Sequence, residues 1–373
     1  MPQTTQQTSR LSELDWLRVI LIVAVFVHHC FMPFNGDGWH IMNADSSKVL
    51  DDIMVYFEQL RLPSLFFIAG AGSFILLSKL RSVSFLKAKA LRLLLPFTVG
   101  VLLVVPPQTY FENIAQYRSL ISAFPTLMLE FKVNHLWFIE YLLIFMLLAI
   151  AIKPLISSIF ASQSDNAIAK RIGLKSATIL IALMLAISRV IFEHFFPEDN
   201  AFFISEISNI IFYLSFFIIG MVFVAHPVAW RSFSSNRRFS LYCFITVSVA
   251  FYAYYFPDYS AYFSLATRWS IWWFLCTLLS YFGLATMLGY AQTYIKSTPA
   301  WMRTANQLIF PFYILHQTVI VIIAFFVVQL TLPVWLKASV VLSASFLISA
   351  GLCKYLIYKF DALRFLFGLK PRH

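Results

Sequence analysis

Apolar runs long enough to cross a bilayer recur along the whole chain of 373 residues, and they restrict its fold more than any other feature. A helix needs about 20 apolar residues to cross about 30 Å of hydrocarbon, whereas a transmembrane strand shows an alternating segment of only about ten. Hydrophobic residues make up 60% of the chain and charged residues 12%. In soluble domains roughly a quarter of the residues carry charge. The sequence therefore predicts an all-α, polytopic membrane protein.

The hydropathy pattern predicts about ten transmembrane helices. They are expected at 17–34, 61–78, 93–110, 135–152, 176–196, 207–226, 240–256, 268–291, 306–330 and 336–358. The segment 108–134 mixes aromatic and charged residues, which is typical of a short amphipathic helix on the membrane surface. We treat 1–373 as a single transmembrane domain, with a polar cytoplasmic tail at 1–13 and a basic cytoplasmic tail at 359–373.

Lysine and arginine are concentrated in alternate loops. One set of loops holds most of them, whereas the other set holds only Lys48, Arg118, Lys132, Arg268 and Lys337. Loops rich in these residues face the cytoplasm, so both termini are predicted to be cytoplasmic. The net charge of +11 follows from this topology. Because no basic soluble domain is present in the sequence, nucleic-acid binding is not expected.

The four cysteines give no sign of a disulfide framework or a zinc site. Cys30, Cys243, Cys276 and Cys353 lie inside or at the ends of predicted helices and show no paired spacing. No metal ion and no bound cofactor are expected.

Arg18 and His29 lie eleven residues apart on the first predicted helix. That spacing is about three turns, so both side chains share one helix face, roughly 16 Å apart. A charged side chain at membrane depth costs roughly 2.5 kcal/mol or more if it faces lipid, so this face is expected to line a protein interior or a wet cavity. Histidine, with an unperturbed pKa near 6.5, suits proton transfer. A local ion pair of Arg18 with Asp15 is the alternative reading of the arginine.

Two further polar residues lie at the outer ends of predicted helices. Arg61 could stabilise an oxyanion or hold a carboxylate, or it could reach the lipid headgroups. Glu140 lies in an apolar run, where an acid needs a cationic partner, and Arg61 or His29 is expected to supply it.

Lys89 and Arg92 lie three residues apart at the predicted cytoplasmic start of the third helix. They could bind phosphates of a cytosolic donor, although anchoring of the helix by the positive-inside rule explains the same residues. His135 and Trp137 begin the fourth helix and could form part of an interfacial belt. Tyr313 and His316 lie within a late helix, with His316 expected near the middle of the membrane.

Several of these segments together resemble the integral-membrane acyltransferase-3 family. The family's opening is similar to Leu14-Asp15-Trp16-Leu17-Arg18 followed by His29, and its second helix to Pro63–Gly70. Its basic pair before a proline is similar to Lys89, Arg92 and Pro96, and its late Tyr-x-x-His to Tyr313 and His316. Arg61 before Pro63, and His135-Leu136-Trp137, resemble the glucan-modifying branch most. The usual arginine is lysine at position 89, and an acidic stretch of other branches is absent, so Glu140 has no clear counterpart.

The resemblance implies an O-acyltransferase of the bacterial inner membrane. It would move an acetyl or succinyl group from cytoplasmic acyl-CoA to a hydroxyl of an extracytoplasmic glycan or other polyol. In this interpretation Lys89 and Arg92 hold the phosphates of CoA, Arg18 aids the thioester arm and His29 activates the hydroxyl. Glu140 or Arg61 would orient His29 or stabilise the oxyanion.

Two other functions fit the same polar residues. A transporter or exporter of a small molecule or a lipid-linked sugar would use them without consuming acyl-CoA. A structural membrane subunit would tolerate the loss of His29.

Overall fold

The computed structural model describes residues 11–161, 174–196 and 205–370, and these residues form helices and connecting turns with no strand. We number the helices α1 to α13 in chain order. They are α1 Ser12–Phe31, α2 Lys48–Leu77, α3 Ser82–Glu112, α4 Leu120–Leu129, α5 Trp137–Ala161, α6 Leu174–Phe195, α7 Ser205–Ala225, α8 Pro227–Ser235, α9 Arg237–Tyr255, α10 Leu265–Tyr294, α11 Ala300–Val327, α12 Val334–Gly351 and α13 Asp361–Leu366.

Nine helical segments of the described chain are long and apolar enough to cross a membrane. They confirm a polytopic helical membrane protein. The helix predicted at 240–256 forms as α9 but is not one of the nine, because the two arginines at its start and its tyrosines lower its mean hydropathy. Within the segment 108–134, where a short surface helix is expected, the chain forms the ten-residue helix α4.

Helix α2 begins at Lys48, much earlier than the predicted 61–78. The charged residues before Arg61 suggest a loop, but the helix accommodates them. Lys48 Nζ lies 2.7 Å from carboxylate oxygens of both Asp51 and Asp52 and donates to the hydroxyl of Tyr255 at 2.6 Å. These contacts neutralise the carboxylate charges in the first turns of the helix. Because the helix begins well before Arg61, Pro63 lies inside it and not at its start.

Helix α3 also begins earlier than predicted and contains two π-helical turns, Ala90–Leu94 and Gly100–Val104. A π-helical turn is wider than an α-helical one and is frequent at functional sites. Arg92 lies in the first of these turns.

Close packing of α2 against α7 fixes the centre of the bundle. A Cβ atom on Gly70 would lie 1.9 Å from the carbonyl oxygen of Phe217, and one on Gly220 would lie 2.1 Å from that of Phe67. Small residues such as Gly70 and Gly220 let membrane helices approach closely. Gly72, by contrast, has nothing within 4 Å of such an atom, so it makes no close helix contact.

Helix α1 runs parallel to α11, and hydrogen bonds join the two helices near both ends of their contact. Arg18 donates to Asn306 at 3.1 Å, and His29 lies 2.8 Å from His316. The eleven residues between Arg18 and His29 on α1 thus span the same length as the ten residues between Asn306 and His316 on α11. We call the membrane side nearer Arg18 the Arg18 side and the opposite one the His40 side.

The two segments predicted as cytoplasmic tails, 1–13 and 359–373, are each partly helical in the structure. Residues 1–10 and 371–373 lie outside the described residues. Helix α1 already begins at Ser12, and the predicted basic tail folds into α13 and a turn that packs against the bundle. Arg364 in this segment is buried, with 6% of its surface exposed.

Candidate active site

On the Arg18 side, Asp15, Arg18 and Asn306 form one hydrogen-bonded group. Asn306 Nδ2 donates to Asp15 Oδ1 at 2.5 Å, while its Oδ1 accepts from Arg18. Arg18 also lies 3.5 Å from the Asp15 carboxylate. The local ion pair considered for Arg18 therefore forms, and it leaves the arginine side chain partly accessible.

His29 and His316 form a hydrogen-bonded pair whose proton positions follow from the partners. The carbonyl oxygen of Tyr313 can only accept, so His316 Nδ1, 2.5 Å away, carries a hydrogen. In the neutral ring His316 Nε2 is then an acceptor, and His29 Nδ1 donates to it at 2.8 Å. His29 Nε2 is left with its lone pair and, among the described residues, has no hydrogen-bond partner. The arrangement gives His29 a basic nitrogen with fixed orientation.

The two rings are nearly parallel, with an interplanar angle of 3°. His316 is fully buried, whereas His29 is partly exposed. His28 does not share this arrangement, because its Nδ1 is buried without a partner among the described residues.

His135 and Tyr313 join the start of α5 to α11. The Tyr313 hydroxyl donates to the carbonyl oxygen of His135, and His135 Nε2 donates to the carbonyl oxygen of Ile314 at 3.1 Å. The His135 and His316 rings are 5.2 Å apart. His135 is therefore buried beside the histidine pair and is not part of an interfacial belt. Trp137 packs at 5.0 Å from the Tyr141 ring instead.

Arg61 is a buried guanidinium that interacts electrostatically with the Glu58 carboxylate but, among the described residues, has no carboxylate within salt-bridge distance. Only 7% of the residue is exposed, and its Nε and Nη1 have no hydrogen-bond partner among the described residues. The guanidinium is near enough to interact electrostatically with His28, His29 and Glu58. An unpartnered buried polar group is costly, so this position favours a bound anionic group or developing negative charge. This burial does not favour the alternative in which Arg61 extends to the lipid headgroups.

A cavity of about 1010 Å³ opens on the Arg18 side. Its polar lining includes Asp15, Arg18, Lys79, Lys89, Arg92 and Asn306. Apolar side chains such as Ile22, Leu65 and Leu142 line its deeper part, and it extends to Phe138 and Tyr313. Since Tyr313 is one helical turn before His316, the cavity approaches the histidine pair from the Arg18 side. The sequence had not indicated Asn306 or this apolar section.

A second polar network lies on the His40 side. Gln317 Nε2 donates to His40 Nε2 at 3.0 Å, so His40 Nδ1 donates to Glu112 at 3.0 Å. Gln108 accepts from Gln317 at 3.2 Å and from Asn134 at 2.9 Å. Sequence analysis missed this network, because its members are far apart in the chain. The one feature of the sequence that points to this network is that Gln317, a member of it, directly follows His316.

Glu140 is not brought to the site. It is exposed and shares its helix face with Ile144, Leu147 and Leu148, which are also exposed. Within the described chain it forms no ion pair with Arg61 or His29. The expected partnership is therefore corrected: Glu140 lies on the outward face of α5.

The site thus joins most of the sequence-predicted residues in two connected groups. Arg18, Asp15, Lys89 and Arg92 line the cavity, and His29, Arg61, His135, Tyr313 and His316 lie at or beyond its inner end. Among the described residues no group of histidine, cysteine and acidic side chains is suited to hold a metal ion.

Comparison with known proteins gives a family match over residues 11–354, to the acyltransferase-3 family, described as an acyltransferase domain. The chain is 26% identical over 253 residues to "Glucans biosynthesis protein C" of Escherichia coli strain K12. The same protein of strain SMS-3-5 is 25% identical. Each alignment covers 65% of this chain and 64% of the relative, so the chain spans less than two thirds of these relatives' length.

No solved structure matches the chain. The relatives agree with the resemblance to the glucan-modifying branch seen in the sequence. Because the family match covers nearly the whole chain, the chain belongs to the acyltransferase-3 family of membrane proteins.

Proposed function

We propose that this acyltransferase moves an acetyl or succinyl group from acyl-CoA to a hydroxyl of a glycan on the other side of the membrane. The observation that carries the proposal is the position of the His29–His316 pair beyond the inner end of the cavity that Lys89 and Arg92 line. A donor entering from the Arg18 side and an acceptor from the His40 side would meet at His29.

The cavity supports binding of an acyl-CoA. Its volume, about 1010 Å³, is at the upper end of the range of about 300–1,000 Å³ for small-molecule sites. Lys89 and Arg92 offer positive charge for the phosphates, and the apolar section suits the thioester arm. Arg18, held by Asp15 and Asn306, would guide that arm towards Tyr313. No bound cofactor is required, since acyl-CoA is a substrate.

In the proposed reaction His29 acts as general base. Its Nε2 takes the proton of the acceptor hydroxyl while the hydroxyl oxygen attacks the thioester carbonyl. The tetrahedral intermediate then expels the CoA thiolate, which takes the proton back from His29 Nε2. His316 holds the hydrogen of His29 Nδ1 and stabilises the positive ring formed in between.

Arg61 would bind negative charge beside His29. Its unpartnered Nε and Nη1 can hold either the oxyanion of the intermediate or the free carboxylate of a succinyl group. A carboxylate would accept two parallel hydrogen bonds from the buried guanidinium. Arginine and carboxylates commonly form this pair of bonds.

The proposed setting is the inner membrane of a bacterium, with both termini in the cytoplasm and His40 towards the outside. Nine crossings would place the termini on opposite sides, so the proposal includes α9 as a tenth crossing helix of the single transmembrane domain 1–373. The asymmetry of basic loops supports this orientation. The printed name of the relatives supports a glucan as the glycan. The bilayer and the two substrates are the only partners proposed.

The test uses membranes that contain the protein, radiolabelled acetyl-CoA or succinyl-CoA and a linear glucan oligosaccharide. We expect label in the oligosaccharide with the wild type. With His29→Ala, transfer should fall about 10²- to 10⁴-fold, the usual contribution of a general base. Equal transfer by wild type and His29→Ala, at equal protein levels, would contradict the proposal. Export of oligosaccharide without acylation would favour a transporter instead.

A further inference from the structure

The segment after α12 is folded, although the sequence suggested a basic tail. Arg364 Nε and Nη2 both donate to the carbonyl oxygen of Lys370, at 2.9 and 2.5 Å. Its Nη1 donates to the carbonyl oxygen of Tyr358 at 3.2 Å, and its guanidinium lies 4.7 Å from the centre of the Tyr358 ring. Arg364 therefore closes residues 358–370 into a compact turn.

This turn packs directly onto the residue proposed to bind donor phosphates. A Cβ atom on Gly368 would lie 2.7 Å from the carbonyl oxygen of Arg92 and 3.0 Å from Pro96 Cγ. Gly368 has a φ of +73°, a conformation that other residues adopt only with strain. Only glycine fits there without displacing the backbone of Arg92.

The same turn contributes to the cavity. Gly368 and Leu369 line it together with Lys89 and Arg92. Phe367 and Leu369 are buried, with 7% and 8% of their surfaces exposed, so the segment is packed in place and not loosely laid on the surface. All of these residues follow position 354, where the family match ends.

We propose that residues 358–370 form a wall of the donor site and that Arg364 is a positioning residue for binding of the CoA phosphates. The inference rests on the proposed function and adds a part of the chain to it. Arg92 itself is exposed and lies in a π-helical turn, a rare local form that is frequent at functional sites. Contact with Gly368 fixes that backbone, and Arg364 fixes Gly368. Arg364 touches no substrate in this arrangement.

The test measures steady-state kinetics of the purified full-length protein with acetyl-CoA or succinyl-CoA and a glucan oligosaccharide. Arg364→Ala should raise the KM for acyl-CoA about tenfold, as expected for loss of one charge-assisted contact to phosphate. The kcat and the KM for the oligosaccharide should stay within about twofold, because the histidine pair is remote from the turn. A general loss of structure would change all three values.

Arg364→Lys and Gly368→Ala are two further variants that test whether residues 358–370 position Arg92. Lysine lacks the rigid guanidinium fork that donates to two carbonyl oxygens. The KM of Arg364→Lys for acyl-CoA should therefore lie between those of the wild type and Arg364→Ala. Gly368→Ala should also raise the KM for acyl-CoA, because its Cβ meets the backbone of Arg92. If Arg364→Ala does not fold, these two variants decide the question.

Two comparisons separate failure of the inference from failure of the proposed function. Arg303→Ala removes an exposed arginine that is not among the cavity residues and should leave the KM unchanged. Arg92→Ala should raise it. If Arg92→Ala raises the KM while the Arg364 and Gly368 variants do not, the wall has no role. If none of these variants raises it, the donor site is elsewhere and both proposals fall.

Discussion

Replacement of His316 by phenylalanine isolates the role of the ring that holds His29. Phenylalanine is close in size and flat, and the position is fully buried between the rings of Phe26 and Phe312, at 6.2 and 6.1 Å. The substitution therefore keeps the packing while it removes the acceptor 2.8 Å from His29 Nδ1.

The size of the effect follows from that lost hydrogen bond. An unpaired buried donor costs about 1–3 kcal/mol. The bond matters most when the His29 ring becomes positively charged in the reaction. Its loss then raises the activation free energy by about the same 1–3 kcal/mol and lowers kcat about 5- to 150-fold. His29 can also adopt the tautomer with its hydrogen on Nε2, which cannot accept a proton, and this adds to the loss. We expect the total to remain smaller than that of His29→Ala.

The assay is transfer of labelled acyl groups to a glucan oligosaccharide with both acyl-CoA and oligosaccharide saturating, so that kcat is measured directly. His194→Phe serves as the matched control, since it makes the same change at an exposed histidine and should keep wild-type activity. If His316→Phe is as active as His194→Phe at equal protein levels, His316 does not orient the base and the tautomer assignment is wrong.

Four further substitutions test other parts of the structure. Arg61→Gln should reduce transfer from succinyl-CoA about ten- to a hundredfold more than from acetyl-CoA if the guanidinium binds the free carboxylate; equal losses would assign it to the oxyanion. Gly70→Ala forces a Cβ against Phe217 and should destabilise the protein by at least about 1–3 kcal/mol, seen as a lower Tm in detergent. Gly72→Ala, with open space around it, should leave Tm nearly unchanged, and a similar drop would contradict the packing. Glu140→Gln should keep activity within about twofold, and a large loss would return that acid to the site.

Helix periodicity was sufficient to place Arg18 and His29 on one working face. The spacing of eleven residues fixes the angle between them whatever surrounds the helix, and the partners Asn306 and His316 lie on the same neighbour. The identity of the partner helix was not predictable. It depends on contacts between residues more than 280 positions apart in sequence.

Glu140 could not be placed from sequence for a different reason. Nearly all residues of α5 are apolar, so the pattern does not show which face meets lipid and which meets protein. The early start of α2 was hidden because Asp51 and Asp52 read as a loop, while Lys48 and the distant Tyr255 neutralise them in a helix. The His40 network depended on a loop whose course only the folded chain defines.

The most direct test of acyl transfer across the membrane uses purified protein in sealed vesicles with its orientation determined. Labelled acyl-CoA is placed at the Arg18 side and the glucan oligosaccharide only at the His40 side. We expect acylated oligosaccharide at the His40 side and free CoA at the Arg18 side, in equal amounts, and about 10²- to 10⁴-fold less of both with His29→Ala. Acylation that requires both substrates on one side, or that persists without His29, would contradict a transfer centred on this histidine.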